Sequence, residues 1–122
     1  VRWAVDSSTL LTGSSDSTAK LWEVETGRCT FTFKYQVPCR AVAFSLGESH
    51  AAISTDPFMS TSPGINIVAI TEDPAEQSDV PVMQLTEFSK RINRLAFTDL
   101  NTVLISAGED GIVRRWDVEV ST

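Results

Sequence analysis

The chain reads as short runs of β-branched and aromatic residues broken by turn chemistry, with no sustained helical period. Residues 30–33, 65–70 and 80–85, which spell TFTF, INIVAI and VPVMQL, have the composition of strands. Pro81 has no amide hydrogen to give to a ladder, so the third of these is predicted at a sheet edge. Tight-turn residues separate the runs. Asp110 with Gly111 suits a hairpin, because glycine enters positive φ at no steric cost, and Asp16 with Ser17 holds the same place earlier in the chain. Glu25, Thr26 and Gly27 mark the next turn. The runs at 19–22 and 40–44 are apolar enough to predict inner strands covered on both faces. The pattern predicts an all-β protein.

One register recurs along the chain. Residues 10–24 align without a gap on 104–118, a constant 94 positions apart, so that Trp22 and Glu23 fall on Trp116 and Asp117. Upstream, Trp3 falls on Phe97. A degenerate copy stands between them around Phe44, 41 residues after Trp3 and 53 before Phe97. The surplus length lies in two stretches read as loops. Residues 57–64 hold Pro57, Pro63 and Gly64, and residues 72–79 carry Glu72, Asp73, Glu76 and Asp79, a solvated acidic loop by composition. A period in the forties, four strands per unit and a Trp-Asp pair closing the third strand are the signature of WD repeats, whose sheets stack as propeller blades.

The fold expected is therefore a WD40 β-propeller fragment of about three four-stranded blades. Residues 1–34 form a blade with a truncated first strand, 35–86 a degenerate blade with the loop insertion and acidic loop, and 87–122 a blade lacking its outer strand. Closed propellers need at least about four blades, so three are expected to belong to a larger ring, cut through a blade at each end.

Composition narrows the function. Hydrophobic residues make up 42% and charged residues 21% of the 122 positions, as in globular proteins. The net charge of −6 argues against a surface built mainly to hold nucleic-acid phosphates or anionic lipid. No apolar run approaches the roughly 18 residues that span a bilayer. Cys29 and Cys39 match no metal or redox spacing and read as small packed hydrophobes in a reducing compartment.

Candidate chemistry is sparse. His50, read in a turn at 47–51, has no matching ligands or catalytic partners elsewhere in the chain. Asp16 and Asp110 occupy equivalent turns two repeats apart and so do not flank one bond as a glycosidase pair does. No catalytic, cofactor-binding or metal-binding residue is assigned. Lys90, Arg91 and Arg94, then Arg114 and Arg115, form the densest positive stretches and are the candidate partner contacts, with direct RNA contact a minor possibility. The predicted outer strands at 29–34 and 80–85 offer edges to which a partner strand could add.

Local detail goes beyond the generic repeat. Residues 20–27, 31–34, 38–44, 54–59, 69–77, 91–94 and 105–111 resemble the early blades of subunit i of eukaryotic translation initiation factor 3. The middle copy with its acidic insertion and the Arg91, Ile92, Asn93, Arg94 run are the least generic of these. The resemblance implies a seven-bladed, non-catalytic scaffold in a multi-subunit cytoplasmic factor on the small ribosomal subunit, contacting subunits b and g, with no cofactor and no membrane. By position it also implies that Thr12, Asp16 and Trp22, with Ser106, Asp110 and Trp116, belong to the structural hydrogen-bond set of the repeat. The Gly-His pair of the wider repeat is absent, and residues 97–101 depart from the usual Trp-Gly-Pro. Another cytosolic WD-repeat adaptor, a ubiquitin-ligase substrate receptor or a coat component, is the alternative.

Overall fold

A computed structural model describes residues 2–3, 8–45, 50–58, 62–71, 74–86, 88–98 and 103–118. Its strands fall into three antiparallel sheets, each ordered as the chain runs. The first holds β1 (Arg2–Trp3), β2 (Thr9–Gly13), β3 (Thr18–Glu23) and β4 (Arg28–Lys34). The middle sheet holds β5 (Cys39–Phe44), β6 (His50–Thr55), β7 (Gly64–Ala69) and β8 (Met83–Leu85). The third holds β9 (Ile92–Thr98), β10 (Val103–Gly108) and β11 (Val113–Asp117). The fold is all-β, as the residue pattern indicates.

Turn chemistry and conformation agree where the repeat is strongest. Gly111 has φ 76° and its amide donates to the Gly108 carbonyl at 3.2 Å, closing the hairpin between β10 and β11. Ninety-four residues earlier, Ser17 takes the same left-handed conformation, φ 74°, between β2 and β3. A side chain is costly there, and the neighbouring Asp16 compensates by accepting from the Thr18 amide at 3.0 Å.

Two apolar layers hold the three sheets together. Leu11, Ala19, Leu21 and Phe33 of the first sheet pack on Cys39, Val42, Ala51, Ile53 and Val68 of the middle one. On its other face the middle sheet sends Ala41, Ala43, Ala52, Ile65 and Ile67 against Ile92, Leu95, Phe97 and Leu104 of the third. Alternation along β5, β6 and β7 feeds both layers, which is why all six residues of β6 are buried. A bulge between Cys39 and Val42 turns both onto the same face despite their odd spacing. Fully burying a Leu or Ile contributes ~1.5–3 kcal/mol, so these layers fix how the sheets stack.

Four sequence expectations change. His50 is not in a turn: it opens β6 and is buried, its amide donating to Ser45 Oγ at 3.1 Å and its carbonyl accepting from the Ser45 amide at 2.9 Å. Only the middle sheet has both faces covered; in β3, Ala19 and Leu21 are buried while Lys20 and Trp22 stay half-exposed, because no described strand lies against their face. The strand at 80–85 shortens to Met83–Leu85, since Pro81 interrupts the ladder; β8 is the last strand of its sheet, at an edge. The 72–79 loop is more than a solvated acidic run. Among its described residues, Pro74–Glu76 forms a 3₁₀ turn and Gln77 is buried, accepting from the Thr71 amide at 2.9 Å and donating to the Ala69 carbonyl at 2.7 Å. Residues 59–61, 72 and 73 lie outside the described residues.

Candidate interaction surface

The repeat positions singled out from sequence divide into two separate local sites per repeat. Trp22 donates its indole N–H to Thr12 Oγ1 at 3.0 Å across the β2–β3 ladder, and Trp116 donates to Ser106 Oγ at 3.1 Å across β10–β11. Each pair spans ten residues of a hairpin, so a buried or half-buried indole finds its partner on the adjacent strand. The aspartates work elsewhere. Asp16 caps its own turn through Thr18, whose hydroxyl and amide both donate to it, and these bonds hold its carboxyl below the usual carboxylate range. Asp110 accepts from Arg114 Nη1 at 2.7 Å and from the Ile112 amide at 3.1 Å, with the same downward effect. The two carboxylates sit in turns of sheets that have the middle sheet between them.

Topology splits the positive stretches. Arg114 and Arg115 are neighbours on β11 and therefore point to opposite faces. Arg114 faces inward, bonded to Asp110 and lying 5.2 Å from the Phe88 ring, which itself packs 5.3 Å from Trp116. Its repeat equivalent, Lys20, lies 5.9 Å from the Trp22 ring. A cation four residues after the turn aspartate is thus a shared feature of both strong copies. The spacing is visible in the sequence, but nothing there says that the charge faces an aromatic ring rather than solvent.

Arg94 and Arg115 share the outer face of the third sheet, where Arg94 is paired with Ala107 and Arg115 with Ile105. Arg115 is 66% exposed and only 4.0 Å from Asp117, a pair worth little in water. Lys90 is exposed beside the start of β9. Arg91 instead reaches the middle sheet, 3.9 Å from Asp56 and 3.8 Å from Glu109.

Asp56 was not singled out from sequence. It is 6% exposed, holds Arg40 through two 2.8 Å bonds and also faces Arg91, so one carboxylate ties the middle sheet to the third. These bonds raise the Arg40 pKa further. Only folding brings positions 40, 56, 91 and 109 together; their spacing carries no motif.

The other candidate groups have packing roles. Cys39 is buried, and burial pushes its thiol up to about 12, the opposite of what a nucleophile requires. Burial likewise pushes the His50 imidazole down. Among the described residues no group of three His, Cys, Asp or Glu side chains is placed to hold a metal ion, and no helix is long and apolar enough to cross a membrane.

Comparison with known proteins agrees with this geometry. Residues 1–23 and 80–117 match the family described as WD domain, G-beta repeat. Among relatives, the protein named eukaryotic translation initiation factor 3 subunit I of Meyerozyma guilliermondii is 35% identical over 118 residues, covering 93% of this chain and 34% of the relative. Proteins of the same name from Mycosarcoma maydis and Culex quinquefasciatus are 33% and 30% identical, covering 91% and 98% of this chain and 34% and 39% of theirs. The chain resembles this subunit along most of its own length, and it spans about a third of the length of those relatives. With Trp-Asp and Trp-Glu at the ends of β11 and β3, three antiparallel sheets stacked in chain order and the matched residues, the chain belongs to the WD-repeat family.

Proposed function

We propose that this chain is part of a non-catalytic scaffold subunit of the cytoplasmic translation initiation factor 3 complex. Its three sheets are then blades of a seven-bladed ring, with residues 1–34, 35–86 and 87–122 as the successive blade segments. The observation that carries the reading is the resemblance to subunit I proteins along almost the whole chain, including the degenerate middle repeat. The mechanism is geometric. Two continuous apolar layers fix the relative positions of three sheets, so their edges and loops are held at set spacings and several partners can bind without competing.

In this reading Thr12, Asp16 and Trp22, and Ser106, Asp110 and Trp116, are structural, holding hairpins in shape for contacts made elsewhere. Subunits b and g and the small ribosomal subunit are the expected partners. Lys90, Arg94 and Arg115 are the exposed cations best placed for such contacts, whereas Arg114 and Arg91 already serve the internal pairs described above. Direct contact with RNA is at most a minor part, given the net charge of −6.

The test is affinity purification of the tagged intact protein from cytosol, at low and high salt, with mass spectrometry of what co-purifies. Recovery of the other initiation-factor subunits at high salt is the expected result. Recovery of a ligase or coat complex in their place would overturn the assignment and leave only the repeat architecture standing.

A further inference from the structure

We infer that the free edge of β8, with the exposed valines beside it, is a docking site for an extended partner segment of alternating apolar and basic residues, added as a fifth strand to the middle sheet. This deepens the scaffold reading and rests on it. Residues 80–86 alternate strictly: Val80, Val82, Gln84 and Thr86 are exposed, while Pro81, Met83 and Leu85 are half-buried. That is the pattern of a strand longer than the three residues now paired. Met83 and Leu85 pack into the apolar layer toward the third sheet, yet Val80 and Val82 are 68% and 53% exposed on the other side. Two valines in water two residues apart offer a partner strand a matching apolar contact at each alternate position.

The backbone is equally unfinished. Among the described strands β8 pairs only with β7, and the Val82 amide donates inward to the Ile67 carbonyl at 2.7 Å. Ile65 and Ile67 turn their backbone groups toward β8, opposite Leu85 and Met83, and the Leu85 carbonyl abuts Gly64. Amides alternate along an extended strand, so those of Gln84 and Thr86 face the open edge. The outer strand of the first sheet, β4, is the instructive contrast: it ends in exposed Arg28 and Lys34, and charged residues of this kind guard an edge against pairing. β8 carries no such guard.

Charge identifies the occupant. The sequence from 70 to 89 has five acidic residues and no Lys or Arg, and among its described residues Glu76 and Asp79 are both exposed on the approach to β8. A strand laid along this rim is favoured when it brings lysine or arginine, and a polyanion is repelled. Main-chain bonds then supply the ladder, valine contacts the register, and the acidic rim the choice of partner.

The experiment uses the intact protein and a fluorescent synthetic peptide of alternating Lys and Val, with a Glu and Val peptide as control. The expected result is saturable binding of the basic peptide alone, with slowed hydrogen exchange at the Gln84 and Thr86 amides. Val80→Lys and Val82→Lys, at exposed positions, should each weaken binding about tenfold or more with the melting temperature unchanged. No saturable binding, or binding that leaves these amides unprotected and is indifferent to Val82→Lys, overturns the inference. Co-purification of initiation-factor subunits is read separately, so loss of the edge site and loss of the scaffold assignment are distinguishable.

Discussion

At the scale of single residues, the two strong repeats make a controlled comparison of one interaction in two settings. Ser106 is 1% exposed and accepts from Trp116, whereas Thr12 is half-buried and accepts from Trp22. Removing an acceptor strands a donor more expensively where water cannot replace it. Ser106→Ala is therefore expected to cost about 1–3 kcal/mol and Thr12→Ala at the low end of that range or less, as measured by denaturant unfolding. Cys39 gives a pH signature. Its thiol has a folded pKa pushed from 9.0 up to about 12 by burial, so the unfolded chain releases the proton first. The contribution is fully present below pH 9 and is lost as pH rises toward 12, by up to ~1.4 kcal/mol per pH unit. Burial also raises the Tyr35 phenol, which adds to the decline at higher pH. Melting temperatures of the parent and Cys39→Ala from pH 8 to 10.5 check this: the variant should lose the earlier part of the decline and keep the later part.

At the scale of elements, close backbone approach decides what side-chain chemistry does not reveal. A Cβ on Gly108 would collide with the Arg91 carbonyl oxygen, because the turn after β10 crosses the start of β9 and the Glu109 amide donates to that same carbonyl at 2.9 Å. Gly108→Ala is accordingly expected to destabilise by about 2 kcal/mol or more through backbone displacement, and circular-dichroism melts against a control Gly27→Ala locate the cause. Gly27 has φ 73° but nothing within 4 Å of an added Cβ, so its cost is conformational strain alone, about 1–2 kcal/mol. Hairpins and edges at this scale were legible. Asp110 with Gly111 and Pro81 each announce a backbone constraint in their own covalent structure, independent of any distant residue. The burial of His50 and Gln77 was not, because both depend on strands from elsewhere in the chain closing over them.

At the scale of the whole molecule, the middle sheet is sandwiched, and no described strand lies against the outer faces of its neighbours. Val113 is 71% exposed on the outer face of the third sheet, beside Ala107 across the ladder, at the repeat position that in the first sheet is the fully buried Ala19. In the proposed ring another blade covers that face. Val113→Ala should then cost about 1–2 kcal/mol in the intact protein and almost nothing in an isolated 122-residue chain, when both are followed by chemical unfolding. Equal, negligible costs in the two would count against a blade stacking there.

The amino-acid sequence alone determined the repeat, the all-β class and the hairpin turns. Each of these follows from local periodicity or conformational preference. Tertiary structure decided which charges meet and which face water. Arg114, read as a partner contact, is bonded to Asp110 and lies against Phe88, while Arg94 and Arg115, 21 positions apart, share one face. Asp56 joins Arg40 and Arg91 across two sheets. The physical reason is that a side chain's direction is set by strand parity, but its neighbours are set by sheet stacking, and stacking is fixed by apolar layers assembled from residues far apart in the chain.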